Sequence, residues 1–309
     1  MKPLCSYQGG KRRYGAVIAQ HILNFSPSHV YDFGVGCGAV SIALVEAGFS
    51  PEKITAVDTG PWGDVWQAIG AGTFDLAILE ALVEEVRKIP LSETKAWAEN
   101  VLAKRSPSPE VFVMLQAASF GGAAVWRDGD RWRVGEGGWR YVAGGLWEPR
   151  ASSTETKPRS WAISVPKLIM GVACETVPRM RGINGLRKRM EEVFIVDGAV
   201  VYIDPPYENV WGYGTKMEWQ QVIDRGHRPV IVSEGKPLLG ASEHIDLIPR
   251  RGGSFKGVSR GRRAEVLSIW RNGSGVFPPD GWFPHPDAPG WFHNYKEVMT
   301  EEQLKVRFR

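Results

Sequence analysis

Short apolar runs alternate with polar turns and with stretches of helical periodicity along this chain. His29–Phe33 and residues 54–57 are β-prone runs that predict two strands, and residues 40–47 between them place apolar side chains at helical spacing. Ala199–Ile203 predicts a third, buried strand, and residues 111–118 predict a further helix. This succession of strands and helices is typical of an α/β protein.

A glycine-rich turn follows the first predicted strand. Glycines allow the main chain to approach a ligand closely, and the helix N-terminus after the turn favours electron-rich groups. Asp58 ends the second strand, 20 residues after Gly38, where a carboxylate suits the two hydroxyls of a ribose. In isolation this pattern fits a nicotinamide or flavin site as well as a methyl-donor site, and a tight turn without a ligand is a third interpretation. The residues of the turn are Gly34, Val35, Gly36, Cys37, Gly38 and Ala39.

The third strand leads directly into Asp204, Pro205, Pro206 and Tyr207. Prolines fix φ and lack an N–H, so the carbonyls beside them are held stiffly and can accept hydrogen bonds. The aspartate adds a carboxylate and the tyrosine adds an aromatic face. Together these groups suit an exocyclic amine on a flat ring, such as an adenine or cytosine turned out of the double helix. A hydride-transfer enzyme has no need of such a tetrad, so the tetrad favours the methyl-donor interpretation of the turn.

A third motif, Tyr7-Gln8-Gly9-Gly10-Lys11, precedes the other two. The three motifs in this order resemble the Dam-type DNA adenine-N6 methyltransferases, the alpha group of the amino-methyltransferases. The separation of about 165 residues between Gly38 and Asp204 is similar to that of the family. Residues 229–233 resemble its next core strand, and residues 250–270 resemble its late hairpin with a basic loop. The resemblance covers roughly residues 4–272.

Three positions depart from the family pattern. Tyr7 stands where Trp or Phe is usual, and Gln8 stands where a small residue is usual. The sequence from Cys37 to Ala39 is a mild variant of the usual end of the turn.

The resemblance implies a Rossmann-like, doubly wound, mostly parallel seven-stranded sheet with an inserted recognition subdomain. Residues 1–60 and 190–272 are expected to form the catalytic core, and residues 61–189 a helical insertion with the target-recognition region. Residues 273–309 are a Pro- and aromatic-rich extension in which we expect little regular structure. The implied cofactor is S-adenosylmethionine, and the implied partner is double-stranded DNA with the target adenine flipped out.

The resemblance also assigns the site residues. It makes Asp204, Pro205, Pro206 and Tyr207 catalytic. The acidic residue that contacts the adenine of the donor is hard to place; Glu175 is the best candidate, after a strand-like segment at 168–173, and an ordinary solvated glutamate is the alternative. The other residues expected to bind the donor are Tyr7, Gln8, Gly9, Gly10, Lys11, Asp32, Phe33, Gly34, Val35, Gly36, Cys37, Gly38, Ala39, Asp58 and Thr59.

Positive charge is concentrated in two segments, although the net charge of the chain is only +4. Residues 126–189 contain 13 Lys and Arg against 6 Asp and Glu, and residues 250–271 contain 7 against 1. Such segments fit neutralisation of a phosphate backbone, and solvated faces without a partner are the alternative. Residues 126–134, with an Asp-Gly turn, predict a hairpin that carries tryptophans and arginines. The predicted DNA contacts are Arg127, Arg131, Arg133, Arg140, Lys256, Arg260, Arg262 and Arg263.

Composition narrows the class of protein further. The three cysteines form no C-x-x-C pair, so we expect neither a zinc site nor a disulfide framework. No apolar stretch approaches the length of a membrane span. Together with the resemblance, this composition implies a cytoplasmic protein of a bacterial or phage-infected cell, with no membrane partner and no metal; a monomer is expected, although the sequence does not fix the oligomeric state. A cytosine-N4 methyltransferase, a modifier of RNA or nucleotides, and a catalytically silent DNA-binding relative remain open, as do the recognition sequence and a restriction partner.

Overall fold

The computed structural model describes residues 1–5, 7, 9–119, 122–135, 138–139, 165–206, 219–247, 265–271, 282–285 and 288–294. The helices are α1 (Gly15–Leu23), α2 (Ala39–Glu46), α3 (Pro61–Ala71), α4 (Leu76–Arg87), α5 (Thr94–Asn100), α6 (Pro109–Ala118), α7 (Val165–Arg179) and α8 (Gln220–Asp224). The strands are β1 (His29–Phe33), β2 (Ile54–Asp58), β3 (Val125–Asp128), β4 (Arg131–Val134), β5 (Asn184–Arg187), β6 (Ala199–Ile203), β7 (Val230–Glu234), β8 (Glu243–Asp246), β9 (Val266–Trp270), β10 (Trp282–His285) and β11 (Ala288–Asn294).

A mostly parallel sheet forms the centre of the protein, in the order β5-β2-β1-β6-β7-β9-β8 within the described residues. The five strands from β5 to β7 are parallel, and β9 runs antiparallel to both of its neighbours. The expectation of an α/β protein with a mostly parallel sheet of seven strands is confirmed, and this sheet is compatible with a Rossmann-like fold. The predicted strands at His29–Phe33 and Ala199–Ile203 have the bounds that the apolar runs indicate.

Both faces of the sheet are buried. Every residue of β6 (Ala199–Ile203) and of β7 (Val230–Glu234) is buried, which is the pattern of strands covered on both sides. Along β1, Val30 packs in the cluster formed with α1, α3, α4 and α6, whereas Tyr31 and Phe33 pack in a second cluster with α8 and residues 190–195. The side chains therefore alternate between two apolar layers, with helices on each.

The register aligns the ends of the three central strands. Phe33, the last residue of β1, lies opposite Val57 of β2 and Ile203 of β6. Because carboxyl ends of parallel strands meet at one edge of a sheet, the residues that follow each strand are brought together. Gly34, Asp58 and Asp204 consequently lie at the same edge.

Helix α3 packs unusually close to the edge strand β5. A Cβ at Gly70 would lie 1.8 Å from the carbonyl oxygen of Ile183, and a Cβ at Gly185 would lie 2.0 Å from the amide nitrogen of Gln67. Only glycine allows this approach. β5 pairs with β2 and belongs to the central sheet, although it falls in residues 61–189, the range expected to form the insertion. The core of the fold therefore includes residues before 190.

Residues 168–173 are helical, and the expectation of a strand there is wrong. They lie within α7, which packs against α4. A short apolar run is compatible with a strand or with one face of a helix, and local sequence alone does not distinguish them. The hairpin expected at 126–134 is present as β3 and β4, with Gly129 at φ 57° in the turn between them.

The C-terminal extension contains regular structure, contrary to expectation. β10 and β11 pair as an antiparallel hairpin, and β11 approaches β8. The aromatic residues of this segment have high strand propensity, which outweighs the prolines around them. Within the described residues, no helix is long and apolar enough to cross a membrane, and no cluster of side chains is suited to hold a metal ion.

Candidate active site

The glycine turn and the tetrad lie side by side at the carboxyl edge of the sheet. The amide of Asp204 donates to the carbonyl of Phe33 at 2.9 Å, which ties the start of the tetrad to the end of β1. The amides of Gly34 and Val35 both donate to the carbonyl of Val57, at 2.9 and 3.1 Å. Main-chain hydrogen bonds thus join the ends of β2, β1 and β6 into one rim.

The turn requires glycine at several positions. Gly34, Gly36 and Gly38 have φ of 76°, 47° and 75°, in the left-handed region that favours glycine. A Cβ at Gly38 would lie 2.0 Å from the ring of Trp66, whose indole N–H donates to the carbonyl of Gly36 at 2.8 Å. On the other side, a Cβ at Gly36 would lie 3.0 Å from the ring of Tyr7. The turn is therefore held between two aromatic side chains.

Asp58 binds the turn through both carboxylate oxygens. Oδ2 accepts from the amide of Gly36 at 3.0 Å, and Oδ1 accepts from the amide of Gly60 at 2.8 Å. Burial raises the pKa of Asp58, while these two hydrogen bonds and the charge of Arg187 oppose the increase. Each oxygen retains a lone pair, so this partly exposed side chain can accept from two further donors.

Asp32 is buried beneath the turn. Its Oδ2 accepts a hydrogen bond of 2.6 Å from the hydroxyl of Ser41, in the first turns of α2. Burial raises the pKa of Asp32 to about 7, although the hydrogen bond from Ser41 opposes the increase; the nearby carboxylates of Asp204 and Asp58 add to it. Asp32 therefore joins β1 to α2 and does not face an open cavity.

Lys11 lies against the tetrad. Its ammonium donates to Asp204 Oδ1 at 2.6 Å and to the carbonyl of Gly9 at 3.2 Å, and lies 3.5 Å from Glu265 Oε1. The side chain is only 4% exposed. Burial disfavours the ammonium form, but attraction by Asp204 and Glu265 outweighs it, and the pKa of Lys11 is raised. The sequence predicted that Lys11 binds the donor. In the structure its ammonium contacts Asp204, the first residue of the tetrad.

Asp204 is held on one side and open on the other. Oδ1 also accepts from the hydroxyl of Ser233 at 3.1 Å, whereas Oδ2 accepts no hydrogen bond from the described part of the chain. Burial raises the pKa of Asp204, and the charge and hydrogen bond of Lys11 and the hydroxyl of Ser233 counteract the increase. The carboxylate thus has a fixed orientation, with Oδ2 left without a donor among the described residues.

The side chains of several predicted donor-binding residues are buried, so that only their main chain lines the turn. Phe33, Val35, Cys37 and Ala39 have buried side chains that belong to the packing around the turn. Burial raises the pKa of Cys37 to about 12, so this cysteine remains a neutral thiol and is not a nucleophile. Gly10 meets the turn directly, because a Cβ there would lie 3.2 Å from Cys37 Sγ.

Two predicted donor-binding residues have other surroundings. The carbonyl of Thr59 accepts a hydrogen bond from Arg187 at 3.4 Å. Glu175 is half-exposed on α7, where it pairs with the N-terminal ammonium of Met1 at 3.3 Å. That ammonium also pairs with Glu46, in the last turn of α2, which runs away from the glycine turn. Glu175 therefore does not lie in this site, and its assignment to the donor is corrected.

The structure brings in residues that sequence reasoning missed. Ser233 lies at the carboxyl end of β7, and its hydroxyl is 2.9 Å from that of Tyr202 on β6. Glu265 lies directly before β9 and faces Lys11. The signal for Ser233 was its place at the end of the next predicted parallel strand, beside the strand that ends at Asp204.

The predicted arginines of the hairpin differ in their surroundings. Arg127 donates to the carbonyls of Arg105 and Asp130, at 2.9 and 2.8 Å, and lies over the ring of Trp132. Arg131 donates to the carbonyl of Glu99 at 3.4 Å.

The guanidinium of Arg133 pairs with Asp128 at 3.0 Å, and the Arg133 side chain is 46% exposed. It lies opposite Trp126, a large apolar side chain that is 43% exposed. Arg127 and Arg131 hold the hairpin in place, whereas Arg133 and Trp126 form an accessible face.

Some predicted site residues lie outside the described part of the chain. They are Gln8, Arg140, Tyr207, Lys256, Arg260, Arg262 and Arg263.

No protein-family model matches this chain, and no curated protein matches it.

The buried state of Asp32 predicts a pH-dependent stability. A carboxyl whose pKa is raised from 3.8 to about 7 on folding stabilises the fold at low pH and loses that contribution as pH rises through this window. The free energy of unfolding of the wild type, relative to Asp32→Asn, should fall by roughly 1.4 kcal/mol per pH unit at most. Urea denaturation from pH 4 to 8 measures this difference, and Asp64→Asn, at a carboxylate that is 42% exposed, is the matched control. A difference that is independent of pH would contradict the assignment.

Proposed function

We propose that this protein transfers a methyl group from S-adenosylmethionine to the exocyclic N6 amine of adenine in DNA. The observation that carries the proposal is the carboxylate of Asp204. It follows β6 directly, lies beside the glycine turn and is fixed through Oδ1 by Lys11 and Ser233, while Oδ2 accepts no hydrogen bond from the described residues. Methyl transfer to an amine requires a group that accepts a hydrogen bond from that amine, held next to the site of the methyl donor. Asp204, beside the glycine turn, meets this requirement.

The residues around the turn fit this donor on three grounds. Asp58 has lone pairs available for the two ribose hydroxyls. The left-handed Gly36 lets the ring of Tyr7 pack against the main chain of the turn, and this ring is an aromatic surface beside the donor site that we propose. The buried carboxyl of Asp58 also places negative charge beside the turn, which a cationic sulfonium would offset. When bound, S-adenosylmethionine supplies an activated methyl group.

The residues of the tetrad orient the target base. Asp204 Oδ2 and the carbonyl of Pro205 accept the two N–H groups of the amine, which localises the nitrogen lone pair. Tyr207, outside the described residues, supplies the face on which the flipped base stacks. The amine loses its proton through the bond to Asp204 as the N–C bond forms, so a strong base is not needed. Most of the acceleration comes from positioning.

The product of the reaction separates this proposal from its alternatives. Purified full-length protein is incubated with methyl-labelled S-adenosylmethionine and duplex DNA, and the DNA is then digested to nucleosides. We expect labelled N6-methyladenine, whereas N4-methylcytosine would indicate the related cytosine chemistry. Label transferred to competing RNA in preference to DNA would indicate an RNA modifier, and a chain that binds DNA but not the donor would be a silent relative. The proposal implies a cytoplasmic protein, where donor and DNA are both available.

Replacement of Asp204 tests the acceptor role. Asp204→Asn keeps the shape of the side chain but replaces the carboxylate with an amide, and Asp204→Ala removes the acceptor entirely. Both should lower kcat more than tenfold, about 1.4 kcal/mol of barrier, while the donor Kd from calorimetry changes little. Asp204→Ala with more than about a tenth of wild-type turnover would rule out the mechanism.

Replacement of Asp58 tests the donor site. If the carboxylate binds the ribose, Asp58→Ala should raise the donor Kd by one to two orders of magnitude, roughly 1.4–2.8 kcal/mol. Affinity for DNA should hardly change. Asp64→Ala is the matched control, because Asp64 is a nearby exposed carboxylate that pairs with Arg187 and should leave the Kd unaltered. An unaltered Kd in Asp58→Ala would reduce Asp58 to a structural role.

The hairpin arginines give a third test. Arg133→Ala should weaken binding to duplex DNA and reduce the slope of log K against log salt by roughly 0.9, the change expected for one phosphate contact. Arg127→Ala should leave that slope unchanged and lower the free energy of unfolding, because its guanidinium is bound to main-chain carbonyls. Equal salt slopes in the wild type and in Arg133→Ala would show that Arg133 merely faces solvent.

A further inference from the structure

A chain of hydrogen bonds runs from the interior of the sheet to the open carboxylate. The hydroxyl of Tyr202, on β6, lies 2.9 Å from that of Ser233, on β7, and Ser233 Oγ lies 3.1 Å from Asp204 Oδ1. Tyr202 is 1% exposed and Ser233 is fully buried. Both are close to the carboxyl ends of neighbouring parallel strands, so the contact is set by the register of the sheet.

The direction of these bonds follows from the number of protons. An ionised carboxylate can only accept, so Ser233 must donate its single hydroxyl proton to Asp204. Ser233 then accepts from Tyr202, whose phenol donates. The order is therefore Tyr202 to Ser233 to Asp204, and it holds only while Asp204 is ionised.

We infer that Ser233 is a positioning residue for Asp204, and that Tyr202 sets the direction of its hydroxyl, so that Oδ1 is held and Oδ2 is presented to the target amine. The inference rests on the proposed function, because it assigns Asp204 the role of acceptor. The ammonium of Lys11 stabilises the negative charge of Asp204. The hydroxyl of Ser233 donates a second hydrogen bond to Oδ1, from a side chain that is fixed on β7. Two donors on one oxygen define the plane of the carboxylate, which a single ammonium on a flexible stem does not.

Ser233 also favours the ionised form of Asp204. Hydrogen bonding to a charged form stabilises it, and loss of the hydroxyl should raise the pKa of Asp204 further above its ordinary value. The substitution does not alter the other titratable groups that the described residues place around the site. They are Lys11, Asp32, Cys37, Asp58 and Glu265.

The test compares Ser233→Ala, Tyr202→Phe and the double variant with Ser268→Ala in the full chain. Ser268 is a matched control: it is a fully buried serine of the same sheet whose hydroxyl bonds Leu238 and His244 rather than Asp204. Ser233→Ala should lower kcat about tenfold while the DNA KM and the donor Kd stay within about twofold. Its kcat should also require higher pH, because the acid limb of the profile follows Asp204.

Tyr202 and Ser233 should affect Asp204 as one unit. Tyr202→Phe should shift the acid limb in the same direction by less, and the double variant should resemble Ser233→Ala, since both act through one hydroxyl. Ser268→Ala should keep the wild-type pH profile. If Ser233→Ala and Ser268→Ala lower activity alike with unchanged profiles, Ser233 is only structural and the inference is overturned.

A measurement without substrate separates this inference from the proposed function. The carboxyl carbon of Asp204 is followed by NMR in protein labelled at aspartate, assigned by its loss in Asp204→Asn. The midpoint of the pH titration of this carbon should move to higher pH in Ser233→Ala and stay in place in Ser268→Ala. A titration midpoint that does not move in Ser233→Ala overturns the inference. Absence of methyl transfer and donor binding in the wild type would instead overturn the proposed function and leave the titration as a separate result.

Discussion

The buried ion pair between Lys11 and Asp204 is the interaction on which the site depends. It joins residues 193 positions apart, and Lys11 is almost fully withdrawn from solvent. Removing one partner of such a pair leaves a buried charge without compensation, which is strongly destabilising. The same N-terminal segment carries Tyr7, whose ring lies against Gly36. The ion pair therefore holds Asp204 in place and anchors the N-terminal segment whose Tyr7 ring packs on the glycine turn.

Carboxylates at the edge of the sheet give the site its electrostatic character. Asp58 stabilises the turn through two main-chain amides, Asp32 joins β1 to α2, and Asp204 has one oxygen, Oδ2, that accepts no hydrogen bond from the described residues. Burial makes each ionised form costly, and the negative charges repel one another. A site of this kind favours a cationic ligand beside a group that donates hydrogen bonds. Both features agree with methyl transfer from a sulfonium donor to an amine.

Aromatic contacts connect this site to the hairpin. Tyr7 meets Trp62 edge to face at 5.9 Å, Trp62 meets Phe112 at 5.1 Å, and Phe112 lies 5.7 Å from Trp132 of β4. Arg127 covers the far side of Trp132. The tryptophans that pack in this way are core residues, whereas Trp126 remains accessible. The hairpin is thus packed against the site through a continuous series of aromatic rings, and Trp126 and Arg133 remain exposed on it.

Local sequence alone determined β1, β2 and β6, because a buried strand is an apolar run bounded by turn residues, and these signals lie within a few positions of each other. It also identified Asp58 and Asp204 as residues at strand ends, because the end of an apolar run can be read directly from the sequence. Only the tertiary structure decided that Lys11 meets Asp204, that Ser233 supports it and that Arg127 is structural, because these contacts join distant segments whose approach depends on sheet order and packing. The same limit explains Glu175: a six-residue apolar run does not reveal whether it will be buried as a strand or as one side of α7. The roles of Tyr207 and of the basic residues from Lys256 to Arg263 stay predictions of the sequence.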